Sequence, residues 1–204
     1  MLWITRAVAL VSVLGLAACA APFPRPPSVG DPVAARYSHA GPTELVLFNI
    51  VNTRNARGEH AALMINGSER VLFDPAGSWY HPTSPFVGDV HFGFNDPLLN
   101  VYIDYHASEA YYVTMHRVQV PREVADQVIR LAVARGEVPR ANCARSIGEI
   151  LRQVPGFENA PVGWWPNDLA AYFNTLPGVQ VQRIDSDRPV PRIAPAEVRS
   201  AQDA

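Results

Sequence analysis

Apolar and polar positions divide the middle of the chain into short runs of strand length followed by longer runs with helical spacing. Residues 45–51 are almost wholly apolar, as a buried strand requires. A polar stretch containing Gly58 follows, and residues 60–65 turn apolar again. Asn66-Gly67-Ser68-Glu69 interrupts, and residues 70–74 return before Pro75 stops them. Asn-Gly between two apolar runs is a strong hairpin signal. Residues 76–96 are irregular, with Gly, Pro, Trp79 and two histidines; stretches of that length often form a functional lid or rim. Residues 101–105 and 111–120 alternate with period two and read as strands. The period then changes. Pro121 opens a helix with Val124, Val128, Leu131 and Ala132 on one face, ended by Gly136. Asn142 is a good N-cap for a helix over residues 143–154. Its apolar face is Ile147, Ile150, Leu151 and Val154, and Pro155-Gly156 stops it. Pro166 opens a third helix through Leu176, and residues 179–184 make a last short strand. Strands first and helices afterwards predict an α+β fold, a mostly antiparallel sheet with helices packed on it.

The flanks follow other rules. Residues 7–16 are an apolar run behind a single early charge, Arg6. That is the length of a signal-peptide core and too short to span a bilayer. The run ends in Leu16-Ala17-Ala18-Cys19, which resembles the bacterial lipobox. The resemblance implies cleavage before Cys19 and lipid modification of that residue, with palmitate among its acyl chains. Ala20, rather than Asp, follows the Cys, and by the same resemblance the destination is the outer membrane, on its periplasmic side. An ordinary secretory signal with a chance Cys is the alternative. Several acyl chains on one residue make a stable anchor where one alone is marginal. Pro22, Pro24, Pro26, Pro27, Pro32 and Pro42 crowd the next stretch, which reads as an extended tether. The expected organisation is a signal peptide over residues 1–18 and a lipidated Cys with a Pro-rich tether over 19–42. One domain over 43–184 and a flexible tail over 185–204 follow.

Composition removes several function classes. The chain has 204 residues, 48% of them hydrophobic and 18% charged, which is ordinary for a globular protein and excludes a mainly disordered one. Its formal net charge is −2, so no field for nucleic acid is expected. Every basic residue is Arg. His39, His81, His91, His106 and His116 show no short metal-ligand spacing, and no cofactor is called for.

Cysteine usage changes the picture most. Of the two cysteines, Cys19 is assigned to lipid, which leaves Cys143 without an intramolecular disulfide partner in an oxidising compartment. Such a thiol is buried, paired between chains, or used. Cys143 falls in the first turn of a predicted helix, where free N–H groups and the helix dipole favour a thiolate. His60 begins a predicted strand and has the chemistry to take and return the thiol proton. Asp74 ends the partner strand of the same hairpin, and a carboxylate there can hold an imidazole in one tautomer. A register condition applies, because side chains alternate faces. His60 and Asp74 share a face only if the hairpin loop is odd, such as Gly67-Ser68-Glu69.

This order of parts resembles the circularly permuted branch of the NlpC-type papain-like superfamily, which includes lecithin–retinol acyltransferase-like proteins and bacterial permuted amidases. The carrying segments are Glu59-His60-Ala61-Ala62-Leu63-Met64-Ile65, Arg70-Val71-Leu72-Phe73-Asp74-Pro75-Ala76-Gly77 and Asn142-Cys143-Ala144-Arg145-Ser146-Ile147. The resemblance covers about residues 45–176. The resemblance implies Cys143 as nucleophile, His60 as base and Asp74 in the third polar position, where the family often has His, Asn or Gln. The Cys143 N–H would be one oxyanion donor.

Each residue also has a structural reading. Cys143 shares helical spacing with Ile147, Ile150 and Leu151, as a small core residue would. Asp74-Pro75 is a common turn opener. Asn142 is either a cap or an oxyanion donor. Trp79, Trp164 and Trp165 line a substrate cleft or pack the core. Two function classes therefore stand. One is a membrane-anchored cysteine hydrolase or acyltransferase, acting on a cell-wall peptide or a lipid acyl group. The other is a non-catalytic envelope lipoprotein that uses the same fold for binding or scaffolding; a secreted domain of unrelated fold with an inert Cys143 is a third reading.

Overall fold

A computed structural model describes residues 24–186. The expected signal peptide, Cys19 and the expected tail beyond Ser186 lie outside the described residues. The elements in chain order are β1 (Glu44–Asn52), β2 (Gly58–Asn66), β3 (Arg70–Phe73), β4 (Phe86–Val87), β5 (Val90–His91), α1 (Asp96–His106), β6 (Tyr111–Gln119), α2 (Arg122–Arg135), α3 (Cys143–Leu151), α4 (Pro166–Phe173) and β7 (Gln180–Ile184).

The strands form one seven-stranded sheet in the order β4-β5-β3-β2-β1-β6-β7, and every neighbouring pair is antiparallel. The fold is α+β. The long strands β1 and β2 are buried on both faces, which is why they read as continuous apolar runs. Odd-numbered residues, among them Leu45, Leu47, Ala61 and Leu63, face a core shared with α2, α3 and α4. Even-numbered ones, among them Val46, Phe48, Ala62 and Met64, face a second core under α1.

Two expectations are corrected. Residues 101–105 belong to helix α1, not to a strand. Asn95 caps that helix through its side-chain oxygen, which accepts from the Leu98 N–H at 3.0 Å, and Pro97 sits in the first turn. Leu98 and Tyr102, four apart, are its buried face, with Ile103; five alternating residues are too few to separate the two periods. The Pro-rich segment is also not a free spacer from Arg25 onward. The Arg25 guanidinium bonds the Asp89 carboxylate and the Gly88 carbonyl. The Tyr37 carbonyl accepts from the Arg70 N–H at 2.7 Å, and the Pro42 carbonyl accepts from the Asn66 amide at 2.6 Å. Among the described residues no helix is long and apolar enough to cross a membrane.

Candidate active site

The site forms where β3 ends. β3 pairs only with residues 63–66 of β2, so the first half of β2 has no strand on that side. The β1–β2 register slips between Ile50 and Val51, which leaves Glu59 as an extra residue immediately before His60. Bulges of this kind bend a strand and re-aim its side chains. The hairpin loop between Asn66 and Arg70 is Gly67-Ser68-Glu69, an odd loop. His60 and Asp74 therefore share the α1 face.

Their side chains meet. His60 Nε2 lies 2.6 Å from Asp74 Oδ1, and the same oxygen accepts from the Tyr102 hydroxyl at 3.0 Å. Asp74 is 2% exposed. With Nε2 committed to the carboxylate, Nδ1 is left for the sulfur of Cys143, to which the imidazole is hydrogen-bonded. Cys143 comes from the other face of the sheet, at the start of α3, and reaches past the open side of β2. The backbone N–H groups of Ala61 and Ala144 also point at its sulfur.

The electrostatics follow from this contact set. Burial pushes the Cys143 thiol up, but the imidazole and the two N–H groups outweigh it, and the net shift is downward. Burial alone would make His60 less basic; Asp74 and Cys143 reverse that and raise it from 6.5 to about 10. For Asp74, burial opposes ionisation, and the His60 charge and hydrogen bond overcome it and lower its pKa to about 2. The arrangement favours a thiolate–imidazolium pair backed by a carboxylate.

Two further histidines surround this group and stay neutral. His106 lies flat against His60, with ring centroids 5.9 Å apart and planes 14° from parallel. Burial holds it down to about 4, and its Nδ1 donates to the Tyr102 carbonyl at 2.9 Å. His91, beside Trp79, is likewise pushed down to about 4 by burial. The sequence offers neither Tyr102 nor His106 as a partner of this group, because residues 101–105 read there as a strand and His106 is weighed only as a metal ligand. The Asn95-Asp96-Pro97 helix start was the signal that could have found them.

The secondary candidates fare differently. Asn142 makes no side-chain cap. Its amide instead donates to the carbonyls of Pro139 at 3.2 Å and Arg140 at 2.9 Å, turning the loop into α3. With those donors used, it offers nothing to an oxyanion. Trp79 is 2% exposed and packs edge-on against Tyr102, with centroids 5.4 Å apart, so it supports the Asp74 partner rather than lining a cleft. Among the described residues Trp164 and Trp165 are the exposed indoles, at 51% and 55%. Trp165 borders a cleft of about 420 Å³ with Arg57, Gly58, Asn167 and Asp168, two residues along β2 from His60. Trp164 carries the guanidinium of Arg145, from the first turn of α3, over its ring at 5.5 Å. Among the described residues no group of three or more His, Cys, Asp or Glu is arranged to hold a metal.

No family model matches the chain, and no curated protein or solved structure shows significant similarity to it.

Proposed function

We propose that this protein is a lipid-anchored cysteine hydrolase or acyltransferase of the bacterial cell envelope, with a permuted papain-like arrangement. The observation that carries the reading is the chain of contacts from the Cys143 sulfur through His60 to Asp74, with 2.6 Å between the imidazole and the carboxylate. A structural cysteine needs none of these partners. Supporting it is the order of parts: base on β2, carboxylate after β3, nucleophile at the start of a helix.

The chemistry runs in two halves. The Cys143 thiolate attacks a carbonyl carbon and forms a carbon–sulfur bond. The tetrahedral oxyanion lies toward the Cys143 N–H at the start of α3. As the carbon–nitrogen or carbon–oxygen bond breaks, the His60 imidazolium gives its proton to the leaving group, and a thioester remains. Water, or an acceptor amine or alcohol, then gives a proton to His60 and attacks the thioester. Collapse releases the acid or the transferred acyl group and restores the thiolate. Asp74 holds the imidazole ring through both halves and stays ionised. The proposed substrates are a cell-wall peptide amide or a lipid acyl group.

One observation favours the second reading, a non-catalytic binding module: Cys143 is only 6% exposed. The two readings separate on the thiol. In the full chain, alkylation of Cys143 is followed against pH by mass spectrometry of the peptide that carries it. The enzyme reading expects an apparent pKa well below the free value of about 8.5, rising in His60→Ala. A thiol that reacts only after denaturation would overturn it and leave the binding module. Acyl transfer to Cys143 from amide and ester substrates, read as added mass, is the second arm.

A further inference from the structure

Asp89 sits at the tip of the β4–β5 hairpin and is 1% exposed, although nothing in the proposed chemistry uses it. The hairpin turns through Gly88-Asp89, with Gly88 at φ 56°. The tip lies against the chain between α2 and α3: a Cβ on Gly88 would come within 2.8 Å of the Gly136 backbone. From there Asp89 touches three segments. Its Oδ2 accepts from the Ala76 N–H at 2.9 Å and from the Val138 N–H at 3.0 Å. Its main-chain carbonyl accepts from the Asp74 N–H at 2.8 Å. Its Oδ1 is bonded by the Arg25 guanidinium, which also bonds the Gly88 carbonyl and lies 4.0 Å from Glu137.

Two of these segments carry the proposed catalytic groups. Asp74 and Ala76 form the turn that aims the Asp74 carboxylate at His60. Val138 begins the loop that leads through Asn142 to Cys143. These segments are far apart in sequence and share no strand pairing. One carboxylate oxygen receives an N–H from each of them. A buried carboxylate without a counter-charge is costly, and Arg25 supplies one from the N-terminal segment.

We infer that Asp89 is the positioning residue that sets the Asp74 turn and the Cys143 loop against each other, and that Arg25 is its required counter-ion. The N-terminal segment is then part of the site's assembly and not only a leash. This rests on the reading of Cys143 as a nucleophile paired with His60.

The test uses full-length protein in detergent and site-resolved alkylation of Cys143 across pH, alongside far-ultraviolet circular dichroism and thermal melting. Asp89→Asn keeps the shape and removes the charge. Alkylation near pH 6.5 is expected to slow about tenfold, with the profile displaced to higher pH. Arg25→Ala is expected to move it in the same direction, and Arg25→Lys to restore most of the rate. Arg25 lies outside the sheet, so its two variants decide the matter if Asp89→Asn does not fold. Folded variants with an unchanged profile overturn the inference, even where melting temperature drops, because that drop alone is a structural effect. An inert thiol in the parent protein overturns the proposed function itself, and with it this role for Asp89.

Discussion

Asp74 has to serve two donors at one oxygen, and that sharing sets how strongly it holds His60. Tyr102 and His60 both reach Oδ1, while Oδ2, among the described residues, meets no hydrogen-bond donor. The Tyr102 hydroxyl therefore steadies the same carboxylate oxygen that holds the imidazole. Tyr102→Phe should cost about 1 kcal/mol in denaturant unfolding and slow Cys143 alkylation severalfold without abolishing it; an unchanged rate would remove Tyr102 from the proposed site. The shifts also fix how stability depends on pH. His60 is raised in the folded state, so its contribution is fully present below 6.5 and is lost as pH climbs toward about 10. Asp74 is lowered, so its contribution is present above 3.8 and is lost as pH falls toward about 2. Cys143 acts with the opposite sign to His60 on the alkaline side, which makes Cys143→Ala the clean background. In that variant the melting temperature should peak near pH 6.5 and fall above it as His60 loses its proton. It should also fall below that pH, because unfolding lets His91 and His106, held down to about 4 in the fold, take up protons. Adding His60→Gln should remove the alkaline fall; a fall that persists would assign it to another group.

At the scale of elements, each of the three central residues lies near an alanine in the left-handed region. Ala56 is at φ 56° before His60, Ala76 at 56° after Asp74, and Ala141 at 62° before Cys143. A non-glycine residue costs about 1 kcal/mol or more there, so the local chain is held by its surroundings at all three places. Gly58 is one such support. A Cβ at that position would lie 2.6 Å from the side-chain oxygens of both Asn49 and Asn167 and 2.8 Å from Pro166 Cβ. Gly58→Ala should therefore destabilise by about 2 kcal/mol and disturb His60 two residues on, read as slower Cys143 alkylation in the folded fraction. If alkylation is unaffected, the bulge at Glu59 isolates His60 from the turn. The same elements explain what could be read in the sequence. His60 and Asp74 were legible only as a conditional pair: Asn-Gly marked the hairpin, but an odd or an even loop stayed open until the Asn66–Arg70 pairing set it. Cys143 was legible as a candidate because it is the cysteine left without a disulfide partner and it falls at a helix start, whereas its helical spacing alone fits a core residue. Asp89 was not, since a turn dipeptide carries no sign of what its side chain will reach. α1 was missed because its cap, Asn95, lay in a stretch read as loop. The supposed cap Asn142 bonds backward into its own loop, a choice that composition does not encode.

At the scale of the whole molecule, the point where the chain first docks decides how the domain sits on a membrane. A tether free over residues 19–42 would span up to about 80 Å when extended. The chain is bound to the domain already at Arg25, and the stretch from Cys19 to Arg25 reaches no more than about 20 Å. A protein lipidated at Cys19 would thus be held close to the headgroups, with little freedom to search the space beyond. That geometry favours substrates at the membrane surface over those far from it. Energy transfer from the domain's tryptophans to a dansyl-labelled lipid in reconstituted vesicles measures the distance. The parent protein should show strong transfer. An insertion of about fifteen Gly and Ser residues after Ala21 should weaken it, and Arg25→Ala should give an intermediate value by releasing part of the docked segment. Equal transfer in the parent and the insertion variant would mean that the domain adheres to the bilayer through its own surface, whatever the length of the leash.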